Sequence, residues 1–122
     1  MAAQLEPSEA WINDWLLGVE PTREADLARS FVDVFARFWV AQRLSEKSET
    51  TRRRHSGSLG ALGGHLVKEG VEPEYSEWTA HELLWEAVEI GEGPMIFGGD
   101  EAWQGELDAT CRRLRRYLEA QI

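Results

Sequence analysis

The sequence has little cysteine and no long hydrophobic run. Its 122 residues include one cysteine, Cys111, which excludes an intrachain disulfide and a zinc site with four cysteine ligands. A single thiol is typical of the reducing cytosol, because disulfides persist in oxidising compartments. The longest apolar stretches, residues 15–19 and 38–41, are far shorter than the roughly 20 residues of a membrane helix. Residues 1–20 also lack the basic start of a presequence. We therefore expect a cytoplasmic protein without a membrane partner.

Basic residues are outnumbered and unevenly distributed. The chain has 13 basic and 22 acidic side chains, a formal net charge of −9, and residues 69–108 contain 12 acidic residues and no lysine or arginine. This balance argues against a protein that coats nucleic acid, because phosphate affinity depends on clustered cations. Two compact basic clusters are nevertheless present. The first consists of Lys47, Arg52, Arg53 and Arg54, and the second of Arg112, Arg113, Arg115 and Arg116.

Apolar residues recur at helical spacing along most of the chain, and the alternating runs typical of strands are missing. The clearest stripe has spacings of four, three and four residues at Leu27, Phe31, Val34 and Phe38. A second stripe repeats these spacings at His55, Leu59, Leu62 and Leu66. The pattern predicts one all-α domain over residues 1–122, a compact bundle of four to five helices.

Capping signals indicate where the helices begin and end. We expect a first helix that starts after Ser8, includes Leu16 and ends before Gly18, and a third helix from about Glu49 to Gly70. Thr79 and Glu82 form a capping box for the fourth helix. The glycine-rich residues 91–99 contain an apolar segment, 95–97, which is either a short extended piece or a loop that fills the core. The predicted caps of the second and last helices are Thr22 and Asp100.

Bulky aromatic residues and glycines pose two packing questions. We expect four tryptophans in the core, Trp15, Trp39, Trp85 and Trp103, and two partly exposed, Trp11 and Trp78. The predicted third helix contains Gly57, Gly60, Gly63 and Gly64, each of which costs about 1 kcal/mol relative to alanine. Either a bulky neighbour such as a tryptophan packs closely against this face, or the backbone is flexible or approached by a ligand. We favour close packing.

The histidines, the cysteine and the glycines of this sequence do not form a recognisable catalytic, metal-binding or phosphate-binding motif. His55 and His65 are separated by about 15 Å along one helix and cannot share a metal ion. Cys111 lies in the apolar register of the last helix, where burial raises the pKa of a thiol. The sequence contains no phosphate-binding loop in which glycines are followed by Lys-Ser or Lys-Thr. We therefore predict no enzymatic activity, no metal and no cofactor.

The first basic cluster is the better candidate for a binding function. Two interpretations of the basic clusters are open. In the first, they face the acidic stretch or solvent within the fold. In the second, one of them binds a phosphate backbone or an acidic partner. The helix dipole favours cations near a helix C-terminus, which accounts for the second cluster, and disfavours them in the first turns of the third helix. We therefore assign candidate nucleic-acid contacts to Lys47, Arg52, Arg53 and Arg54.

Residues 27–68 resemble the N-terminal core-binding domain of tyrosine recombinases, the SAM-like module of phage integrases. The resemblance rests on Leu44-Ser45, on residues 50–55 (Thr-Thr-Arg-Arg-Arg-His), and on Leu59, Leu62-Gly63 and Leu66. It implies a DNA-binding module with phosphate contacts at Arg52, Arg53 and Arg54. The recombinase catalytic domain has no counterpart in this chain.

Two functional hypotheses follow from the sequence. The leading hypothesis is a non-enzymatic interaction module that binds a protein or associates with itself. The alternative is a DNA-backbone-binding accessory domain that resembles the recombinase module and lacks its catalytic domain. A small hydrolase or transferase ranks below both, because no group of residues supports one.

Overall fold

The computed structural model describes residues 5–121, which form five α-helices and no strand. The helices are α1 (Ala10–Trp15), α2 (Pro21–Ala41), α3 (Glu49–Gly70), α4 (Ala80–Val88) and α5 (Glu101–Ala120). Two short 3-10 turns, Leu44–Glu46 and Pro73–Tyr75, precede α3 and α4. This architecture confirms the predicted all-α bundle. Within residues 5–121, no helix has both the length and the apolar character needed to cross a membrane.

The helix α3 lies at the centre of the bundle and packs against each of the other four helices. The predicted stripes of α2 and α3 supply much of the core: Leu27, Phe31 and Phe38 are buried, as are Leu59, Leu62 and Leu66. The core is completed by side chains of the two C-terminal helices, Leu83, Leu84, Val88, Leu107, Cys111 and Leu114. Because α3 has neighbours on several sides, small residues are needed where one of these neighbours approaches its backbone closely.

Trp15 supplies the close neighbour that the glycines of α3 predict. A Cβ atom built on Gly63 would overlap the indole ring of Trp15, and one on Gly64 would lie 3.2 Å from Trp15 Cδ1. The indole Nε1 donates a hydrogen bond to the Gly60 carbonyl at 2.9 Å. Close packing is therefore confirmed at two of the four glycines. Open space faces the Cβ positions of the other two, Gly57 and Gly60.

Two predicted boundaries near the N-terminus are wrong. The helix α1 ends at Trp15, and the next residue, Leu16, is extended and exposed. The second helix begins at Pro21 and not after a cap at Thr22. Proline suits the first position of a helix because its φ is already helical and the N–H that it lacks has no partner there. The caps predicted at Thr79 and Asp100 are confirmed.

Arg23 connects the start of α2 to the end of α3. Its guanidinium donates hydrogen bonds to the carbonyl oxygens of Gly70, Tyr75 and Trp78 at 2.8–3.2 Å. The last carbonyls of a helix have no partner within the helix, so a nearby cation stabilises them. The contact fixes the connection that leads into α4.

Candidate interaction surfaces

The predicted nucleic-acid contacts do not form one row of free cations. Lys47 is exposed before α3, and Arg52 is half-buried in its first turn. Arg53 pairs with Glu49 on the same helix at 2.8 Å, and Arg54 pairs with Glu106 of α5 at 3.4 Å. Successive residues of a helix point about 100° apart, so the three arginines face different directions.

A groove of about 510 Å³ between α3 and α5 brings the two basic clusters together. We call it the α3–α5 groove; Arg54 lines it from the first cluster and Arg113 from the second. The positions of the two clusters in the sequence do not show that α3 and α5 are neighbours. From the sequence alone, the clusters are therefore predicted as two separate sites. Glu101 and Glu106 also line the groove, and they balance the two arginine charges.

His55 lies at the base of the α3–α5 groove. It is buried, and its Nδ1 lies 2.9 Å from the Thr110 hydroxyl oxygen. Burial lowers the pKa of His55 below its ordinary value of 6.5, and the positive charge of Arg113 lowers it further. The imidazole is therefore held neutral at physiological pH and contributes no positive charge to the groove.

A second surface is apolar and aromatic. Trp103 is 54% exposed and its ring lies 5.8 Å from that of Phe97, while Met95 in the same loop is 74% exposed. We call Met95, Phe97 and Trp103 the aromatic surface. The prediction that Trp103 belongs to the core is wrong, because the buried stripe of α5 begins one turn later, at Leu107.

Polar side chains of α5 fix the loop that carries the aromatic surface. Gln104 Oε1 accepts hydrogen bonds from the backbone N–H groups of Ile96 and Phe97 at 3.1 and 2.9 Å. The Gln104 amide nitrogen donates to the Pro94 carbonyl, and Asp108 accepts from the Gly93 N–H. Residues 95–97 therefore form the predicted loop, and Ile96 and Phe97 pack against the core. No strand is assigned to these residues.

The remaining reactive groups do not converge on a catalytic or metal site. Cys111 is buried, and burial raises the pKa of its thiol to about 12, as its apolar register predicts. His65 lies 3.5 Å from Glu69 on the same helix, and His81 is exposed at the start of α4. No cluster of three potential metal ligands occurs among residues 5–121.

Comparison with known proteins identifies no relative. No family model, curated protein or solved structure matches the chain. The resemblance of residues 27–68 to the recombinase core-binding module therefore stays a prediction. The aromatic surface and the α3–α5 groove are two candidate binding surfaces of the molecule.

Proposed function

We propose that the protein is a non-enzymatic protein-binding module whose aromatic surface contacts a partner segment rich in apolar and basic side chains. The observation that carries this proposal is the exposure of Trp103 beside Phe97, with Met95 also exposed two residues before Phe97 in the same loop. Clustered exposed apolar side chains mark contact sites on folded proteins, and tryptophan is enriched among the residues that dominate binding energy.

The charge around the aromatic surface supports a basic partner. Asp100 is exposed and accepts a hydrogen bond from the Trp103 N–H at 3.1 Å, and the stretch 69–108 contains no lysine or arginine. Lysine and arginine on a partner would be attracted to this surface, which accelerates association and excludes acidic partners. A second copy of the chain carries a net charge of −9 and is repelled overall, so it is the less favoured occupant.

The anchored loop also supports a binding role. Binding orders flexible segments at a cost in free energy, and a loop that is already ordered avoids part of that cost. Gln104 supplies this order through hydrogen bonds to two N–H groups and one carbonyl. The backbone that carries Met95 and Phe97 is thus held in place before a partner arrives.

A synthetic amphipathic helix with leucine on one face and lysine on the other tests the proposal. We expect it to bind the protein, to weaken with added salt, and to lose about tenfold in affinity for Trp103→Ser. Val40→Ser removes an exposed apolar side chain on α2 and is the matched control, with unchanged affinity expected.

Three results would contradict this partner. The first is equal binding of a helix in which glutamate replaces lysine, and the second is unchanged affinity of Trp103→Ser. The third is an apparent molecular mass, measured by light scattering, that increases with protein concentration for the wild type but not for Trp103→Ser. The third result would assign the aromatic surface to self-association.

The second candidate function is binding of a DNA backbone. The observation that favours it is that Arg54 and Arg113, from separate clusters, line the same groove. Fluorescence anisotropy with labelled duplex DNA tests it: binding at about 50 mM salt that falls steeply by about 200 mM supports a phosphate contact. The triple variant Arg52→Ala/Arg53→Ala/Arg54→Ala is expected to lose that binding. Absence of binding at about 50 mM would exclude this function.

A further inference from the structure

The turn between α1 and α2 is held from inside by one buried carboxylate. We call residues 16–20 the α1–α2 turn. Glu24 is fully buried, and its Oε1 accepts hydrogen bonds from the N–H groups of Leu17 and Gly18 at 2.6 and 2.9 Å. Its Oε2 accepts from Val19 and Glu20 at 2.9 and 2.7 Å. Four successive N–H groups therefore point inwards to the same side chain.

This arrangement sets the shape of the turn and leaves its side chains outside. Gly18 has φ +82°, a conformation that other residues adopt only with strain. With the backbone turned inwards, Leu17 is 48% exposed and Val19 is 68% exposed. Leu16 is exposed beside them. A well-ordered backbone thus presents three apolar side chains to solvent.

Entry into α2 does not account for these apolar residues. The Glu24 carboxylate binds backbone N–H groups of the turn that leads into α2, and this contact does not depend on which side chains those residues carry. Polar residues at 17 and 19 would leave all four hydrogen bonds intact, because each donor is a backbone N–H. The apolar side chains at these two positions therefore require a separate explanation, and contact with a partner provides one.

We infer that the α1–α2 turn is a preorganised docking site for a basic amphipathic helix of another protein. The turn would lie against the apolar face of that helix, with Leu17 and Val19 as the contacts. The site adds a second contact for the class of partner proposed above. It uses none of the residues of the aromatic surface, so either site can fail alone.

The charges near the turn select this partner. Residues 5–22 contain Glu6, Glu9, Asp14 and Glu20 and no lysine or arginine. The next basic residue, Arg23, is engaged by three backbone carbonyls and faces the end of α3. Acidic residues around an apolar turn attract lysine and arginine, and they repel anionic lipid and a second acidic copy.

Residue-resolved NMR tests the inference with the leucine–lysine helix as the probe. We expect its addition to shift the amide signals of residues 16–20. We also expect Leu17→Ser/Val19→Ser to abolish those shifts and leave the melting temperature unchanged, because both side chains are exposed. The Trp103→Ser variant should retain the shifts at 16–20 and lose those at 95–104, which separates this inference from the proposed function.

Three results would overturn the docking site. One is the absence of shifts at 16–20 while residues 95–104 respond, which would leave the aromatic surface as the binding site. Another is equal response to the leucine–glutamate helix. The third is that the protein binds anionic phospholipid vesicles and does not respond to the basic helix, and that Leu17→Ser/Val19→Ser abolishes the vesicle binding. That result would make the turn a membrane contact.

Discussion

Trp15 packs across Gly63, and this pair sets how closely α1 approaches α3. The indole ring occupies the space that any side chain at position 63 would need, and its Nε1 binds the Gly60 carbonyl one turn earlier. The ring also packs edge-on against Phe35 of α2, with centroids 6.2 Å apart. One aromatic side chain thereby joins three helices, and the glycine opposite it is a requirement of packing.

Gly63→Ala is expected to destabilise the protein by about 1–3 kcal/mol, because the new methyl group overpacks the contact with Trp15. Gly57→Ala is the matched control on the same helix. Its Cβ meets open space, so we expect a gain of up to about 1 kcal/mol from helix propensity. Urea unfolding of both variants measures the difference. Equal effects of the two substitutions would contradict the role of the Trp15 contact.

The α1–α2 turn is expected to loosen in acid. The hydrogen bond from the Glu20 N–H, followed by those from Leu17, Gly18 and Val19, lowers the pKa of Glu24 below its ordinary value of 4.5. The native state thus binds fewer protons than the unfolded state, so this contribution is present above pH 4.5 and is lost as the pH falls through the lowered pKa.

Hydrogen exchange at the amides of residues 17–20 and urea unfolding across this pH range measure the effect. Glu24→Gln should reduce the acid dependence, because the amide has no proton to gain in this range. An undiminished slope in Glu24→Gln would assign the acid sensitivity to other groups.

His55 is expected to make the protein less stable as the pH falls below about 6.5. Its pKa is lowered by burial and by Arg113, so between the lowered pKa and 6.5 the unfolded state binds more protons than the folded state. The stability contribution of the neutral imidazole is therefore complete above pH 6.5 and declines below it. His55→Gln keeps a hydrogen-bonding side chain beside Thr110 and should flatten the dependence of stability on pH below 6.5.

Arg113→Gln tests the cause of this shift separately. Removing the nearby positive charge should move the NMR titration midpoint of His55 upwards, towards 6.5. The control is Arg37→Gln on the exposed face of α2, which is expected to leave the midpoint unchanged. A midpoint that does not move in Arg113→Gln would attribute the shift to burial alone.

Cys111 is expected to react slowly with a thiol reagent in the native state. The thiolate is the reacting species, and burial raises the pKa of this thiol to about 12. Absorbance after addition of Ellman's reagent should show slow native modification and rapid modification in denaturant. Fast reaction of the native protein would place the thiol at the surface.

The sequence predicts most of the core because local rules govern it. The stripe of α2 and the caps at Thr79 and Asp100 depend on residues within one or two turns. The structure confirms both caps and buries the stripe at three of its four positions, with Val34 partly buried. The exposure of Trp103 is not predictable in this way. Its spacing from Leu107 matches the buried stripe, but burial also requires a neighbouring element over the first turn of α5.

The candidate surfaces are less predictable than the core, since they depend on which helices are neighbours. Arg54 and Arg113 are far apart in the chain and meet because α3 packs against α5. The role of Glu24 is hidden in the same way, because a glutamate in the first turns of a helix is ordinarily exposed. A glutamate that follows an apolar turn with a central glycine is the signal that was available.

The central position of α3 has a consequence for unfolding. Among residues 5–121, the other four helices contact one another chiefly as α1–α2, α2–α4 and α4–α5, with Phe38 of α2 also against Tyr117 of α5, whereas α3 touches all four. A cut inside α3 would leave two fragments, each with an incomplete interior, and melting of this helix would expose every interface that it forms. Heat or denaturant should therefore disrupt the bundle in a single cooperative transition, with no partially folded subset of helices surviving.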